Sequence, residues 1–103
     1  MDAELKKQWV EALRSGKYEQ GQQYLQKDDK FCCVGVLCDI INPESWRSAV
    51  GSIKRWEGFV DTLPYGVNSQ IGLSHTSEAH LIDMNDKHEE SFETIANYIE
   101  RNM

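Results

Sequence analysis

Phe31-Cys32-Cys33-Val34-Gly35-Val36-Leu37-Cys38-Asp39-Ile40-Ile41, closed by Asn42-Pro43, is the stretch on which the reading of the fold turns. Cys32 to Ile41 is almost continuously apolar and so belongs inside the molecule, but in so short a run periodicity does not separate a buried strand from a buried helix. Its length and its ending at Asn42-Pro43 favour a helix, because Pro commonly follows a helix terminus and Gly35 permits close packing.

Upstream, Leu5, Trp9, Ala12 and Leu13 recur at helical spacing between Ala3 and Ser15, with Glu4, Lys6, Lys7 and Glu11 at the other positions. This pattern predicts an amphipathic helix with Asp2 as N-cap and Gly16 at its C-terminal stop. Tyr18 to Gln26 carries Tyr24 and Leu25 and then meets the polar Lys27-Asp28-Asp29-Lys30 before Phe31, a pattern that fits a β-hairpin. Downstream, Trp46 to Leu73 mixes Trp56, Phe59, Val60, Val67 and Ile71 with Gly51, Gly58, Gly66 and Gly72, which predicts short strands joined by turns, Pro64-Tyr65-Gly66 among them. Ser77 to Met84 predicts a short helix that Asn85-Asp86 interrupts. Phe92, Ile95, Ala96 and Ile99 lie at i, i+3, i+4 and i+7, with Ser91 as N-cap, Glu93 in the first turn and Arg101 in the last, so the chain closes on an amphipathic helix. The expected architecture is a single α+β domain over residues 1–103: a short antiparallel sheet flanked by N-terminal, central cysteine-bearing and C-terminal helices.

A chain of 103 residues, 40% hydrophobic and 27% charged, has the apolar content to bury a core without disulfides or a metal. Its net charge of −6 works against a non-specific grip on nucleic-acid phosphates. Cys32, Cys33 and Cys38 are an odd, clustered set that suits reduced thiols better than a disulfide framework. The charged start, Met1 to Gln8, has the character neither of a signal peptide nor of a membrane span, so a protein of the cell interior is expected.

Three blocks carry a resemblance: Trp9-Val10-Glu11-Ala12-Leu13-Arg14-Ser15-Gly16-Lys17-Tyr18 with Gln20-Gly21, then Phe31 to Asp39, then Asn85-Asp86 before Ser91 to Glu100. Together they are similar to a group of small accessory proteins of tailed bacteriophages and prophages. The resemblance implies an accessory phage protein working in the cytoplasm of the bacterial host. Small accessory phage proteins often act on host functions, antiviral defence included, by binding a host protein or sequestering a small signalling molecule, an analogy of role that carries no mechanism. No catalytic residue comes with the resemblance, and no cofactor is expected.

Two sets of residues are candidates for chemistry. Arg14, Lys17, Lys54 and Arg55 are the cations nearest aromatic residues in sequence, beside Tyr18 and Trp56. If their segments meet, they offer donors to phosphates and a ring for a base, as a nucleotide-like ligand requires. The alternative set is Cys32 or Cys33 as nucleophile, with His75 or His80 as base and Asp83, Asn85 or Asp86 orienting it. A thiol at a helix N-terminus has its pKa lowered by the helix dipole, which prepares it for hydrolase or transferase chemistry. The same cysteines with His75, His80 or His88 match no strong zinc spacing, and no Gly-rich phosphate loop is present. The leading expectation is a non-enzymatic protein that inhibits a host factor, either a defence protein or a nucleotide immune signal; the alternatives are a cysteine-dependent enzyme and a homo-oligomeric phage component.

Overall fold

The computed structural model describes residues 1–103, and it resolves the ambiguous apolar run as helix. Helix α1 (Ala3–Arg14) begins where the Asp2 carboxylate accepts a hydrogen bond from Leu5 N–H, and Gly16 follows it in the left-handed conformation. Strands β1 (Gln26–Lys27) and β2 (Lys30–Phe31) form the expected hairpin, much shorter than its apolar flanks suggest, with Asp28 and Asp29 both at positive φ in the two-residue turn. Helix α2 (Cys33–Ile41) takes Cys32 as its N-cap, and Gly35 N–H donates to the Cys32 Sγ at 3.3 Å. A 3-10 turn (Pro43–Ser45) leads to β3 (Trp46–Ser48) and β4 (Ile53–Trp56). The four strands are antiparallel in the order β2-β1-β4-β3.

Beyond β4 the chain departs from expectation. Pro64-Tyr65-Gly66 opens helix α3 (Tyr65–Ile71) instead of a turn between strands. Pro64 suits the position before a first helical turn, and Asn68 inside α3 donates to Leu73 O and to Glu78, which anchors the helix from within. Helix α4 (His75–Asp86) is longer at both ends than predicted: Ser74 caps it through Ser77 N–H, and Asn85-Asp86 continue the helix because both side chains bond to segments outside it. Helix α5 (Phe92–Asn102) begins as expected at Ser91, whose hydroxyl accepts from Thr94 N–H.

One core of 19 buried apolar residues draws on both halves of the chain. Helix α2 lies at its centre, in contact with α1, α4 and β2, while α5 packs along α1. The closest approach is backbone to backbone: a Cβ on Gly35 would come within 1.9 Å of Leu25 O, so only glycine lets α2 press this tightly on the strand entry. No helix is long and apolar enough to cross a membrane.

Candidate functional site

The three blocks singled out in sequence meet around Asn85, which is fully buried. Its Oδ1 accepts from Cys33 N–H at 3.2 Å and from Gln20 Nε2 at 2.9 Å. Its Nδ2 donates to Gly21 O at 2.8 Å and to Asp86 Oδ1 at 2.9 Å. Gln20 also reaches Glu90 O, Gln23 N–H donates to Asp86 Oδ1, and the Trp9 indole N–H donates to Cys33 O at 2.9 Å. Asn85 thus satisfies an otherwise orphaned amide at the start of α2 and ties the Gln20-Gly21 segment, α2 and α4 together, while Trp9 joins α1 to the same turn of α2.

Cys32 and Cys33 lie at this buried knot, and Cys38 is buried further along α2. Cys32 is 4% exposed and Cys33 and Cys38 not at all. Burial pushes the Cys32 thiol up to about 12, outweighing the lowering effect of the Gly35 amide at the helix start, and it raises Cys33 and Cys38 strongly as well. The lowering expected at a helix start reaches the thiol only as backbone hydrogen bonds, and desolvation overwhelms them. Neither His75 nor His80 bonds to a thiol. The His75 ring lies 5.5 Å from that of exposed Tyr65, and the His80 ring 4.9 Å from that of Tyr98. Asp86 faces Gln23 and Asn85, and the Cys33 thiol donates to Leu81 O at 3.6 Å. Cys32, Cys33, His75, His80 and Asp86 are not assembled as nucleophile, base and orienting group. No group of three or more His, Cys, Asp or Glu side chains is placed to hold a metal ion.

The cationic and aromatic set is likewise divided. Arg14 is bound to α5, where Nη1 and Nη2 each lie 3.2 Å from the Glu100 carboxylate, Nη2 donates to Asn97 Oδ1 at 2.6 Å, and Nε is 3.6 Å from Glu93. It lines an open depression of about 460 Å³ with Lys6, Lys7 and Val10, whereas Lys17 and Tyr18 line a separate one of about 430 Å³. The Tyr18 hydroxyl donates to Asp39 Oδ2 at 2.6 Å, and burial together with that carboxylate raises its pKa to about 12. Trp56 is buried and its indole N–H donates to Asn42 O; Lys54 shares its face of β4, and Arg55 lies on the other, opposite Arg47. The six residues do not converge on one pocket.

Two polar groups escaped the sequence reading. Asp39, the one charge within the apolar run, receives both Tyr18 and the Trp46 indole N–H at 3.0 Å. Its isolation in that run was the available signal. Glu78, 3% exposed, accepts from Thr62 Oγ1, Leu63 N–H and Asn68 Nδ2, and nothing in its polar neighbourhood marks it as buried.

No curated protein and no solved structure matches the chain. A protein family described as "Domain of unknown function (DUF8296)" matches residues 1–60, which span α1, the β1–β2 hairpin, α2 and the β3–β4 pair. On that match over more than half its length, the chain belongs to the DUF8296 family.

Proposed function

We propose that this protein is a non-enzymatic accessory protein of a tailed bacteriophage that acts in the bacterial cytoplasm by binding and inhibiting a host defence protein. The observation that carries the reading is the placement of the phage-like blocks. Gln20-Gly21, Cys32-Cys33 and Asn85-Asp86 converge on a buried hydrogen-bonded knot and not on an open cleft. What these blocks share is the means to build the fold, which leaves function to the surface around it. The buried, high-pKa thiols favour binding over covalent chemistry. The dispersal of Arg14, Tyr18, Arg55 and Trp56 favours a protein partner over an enclosed nucleotide.

The test is phage plating on a host carrying an active defence system, with the protein supplied from a plasmid. Restored plating by both the native chain and a variant with all three cysteines replaced by alanine or serine, where that variant folds, is the expected result. Restoration that needs a cysteine in a folded variant would return the reading to an enzyme, and no restoration on any defended host would remove the inhibitor reading. Native mass spectrometry of the protein from infected cells separates the arms further: a bound host protein is expected, and a bound nucleotide would favour sequestration instead.

A further inference from the structure

The register of the sheet sorts its charges onto one face. Lys27 pairs with both Lys30 and Ile53, and Arg55, two residues beyond Ile53 on β4, pairs with Arg47. Paired residues share a face and residues two apart on a strand share a face, so Lys30, Lys27, Ile53, Arg55 and Arg47 all point the same way. The opposite face carries Gln26, Trp46 and Trp56 towards the core. All four cations are exposed, and none belongs to an ion pair; those of the chain join Arg14 to Glu93 and Glu100, and Lys87 to Asp83.

Two of the cross-strand pairs, Lys27 with Lys30 and Arg47 with Arg55, set like charges directly opposite one another, an arrangement that destabilises a sheet. These four take up four of the 11 Lys and Arg residues and leave seven against 17 Asp and Glu over the rest of the molecule. An acidic protein has thus placed four cations outside any ion pair on a small sheet surface, about 14 Å across its four strands at the usual spacing, with Asp28 and Asp29 at its edge in the turn between Lys27 and Lys30.

We propose that this face docks an acidic, extended segment of a partner protein, with Lys27, Lys30, Arg47 and Arg55 contacting its carboxylates and Ile53 its apolar positions. Charge complementarity selects an acidic partner. The size of the patch selects a short segment over a nucleic acid, because a polyanion running past it meets the strongly negative remainder of the chain. The ring beside the patch is already engaged: Tyr24 lies under Lys27, whose ammonium sits 5.6 Å from the ring centroid. Arg47 keeps one amino group on the preceding backbone, donating to Glu44 O and Trp46 O from Nη1, and its remaining donors are available to a ligand. That the partner belongs to the host rests on the proposed function; the surface itself does not.

Fluorescence anisotropy tests the surface with a labelled peptide of alternating Glu and Ser, and separately with an oligothymidylate of equal charge. The native chain is expected to bind the peptide more tightly than the oligonucleotide. Arg55→Glu should weaken peptide binding about tenfold, while Lys7→Glu, the same charge change on exposed α1, should leave it unaltered. Arg55→Glu relieves a like-charge pair, so its melting temperature should not fall; Arg55→Gln serves as a second variant with the same expected direction. No peptide binding by the native chain, equal losses in Arg55→Glu and Lys7→Glu, or tighter binding of the oligonucleotide would each overturn the assignment. Peptide binding without plating rescue would leave the surface standing and remove the host-inhibitor reading, whereas rescue without peptide binding would do the reverse.

Discussion

At the scale of single residues, the fold depends on buried polar groups whose partners are fully specified. Asn85 makes four hydrogen bonds with no exposure to water, so Asn85→Ala leaves Cys33 N–H and Gly21 O without their partner and Gln20 with Glu90 O alone. The expected loss is about 3 kcal/mol, read as a lower urea midpoint with an unchanged slope. The thiols set an alkaline limit on stability. Cys32 titrates near its usual 9.0 in the unfolded chain and at about 12 in the folded one, so the folded chain holds the proton more firmly across that interval. The stability this confers is fully present below pH 9.0 and is lost as pH rises towards about 12, with Cys33 and Cys38 acting in the same direction. Urea titrations at rising pH should show the midpoint falling above pH 9.0. At neutral pH, iodoacetamide should label the thiols no faster than the protein unfolds; rapid labelling of any one would contradict their burial.

Among the elements, α2 is held by close approach and α5 by its cap and apolar stripe. Gly35→Ala would thrust a methyl group against Leu25 O, a fixed backbone atom, and the only relief is to move α2 away from the strand entry. A loss of about 3 kcal/mol is expected, measured by thermal or urea denaturation. Ser91→Ala removes the acceptor for Thr94 N–H and should cost about 1 kcal/mol, a loss that Ser91→Asp should largely restore. The caps at Asp2 and Ser91 and the stripe Phe92, Ile95, Ala96 and Ile99 were legible in sequence because a cap and a helical period are local properties. Helix α3 and the ends of α4 were not. Gly66 and Asn85-Asp86 have the local look of breakers, and long-range bonds from Asn68, Asn85 and Asp86 overrule that look.

For the whole molecule, the family match ends at residue 60, but the core does not. Eight of its 19 residues lie beyond that point: Leu63, Ile71, Leu73, Leu81, Phe92, Ile95, Ala96 and Ile99. Helices α4 and α5 cover faces of α2 and α1 that residues 1–60 alone would expose. A fragment of residues 1–60 is therefore expected to lack a cooperative melting transition by circular dichroism, in contrast to the full chain; a native-like transition in the fragment would show that the matched segment folds independently.

The sequence by itself determined the α+β class, the terminal helices and the inward placement of the cysteine run, because period, capping and apolar content act over a few residues. Tertiary structure decided that the run is helical, that its thiols are sealed, and that Asn85 is a central tie. It also decided that Lys27, Lys30, Arg47 and Arg55 share one face. Each of these depends on which distant segment is adjacent: burial outweighs the backbone amides at Cys32, and strand register sets the direction of every charge on the sheet.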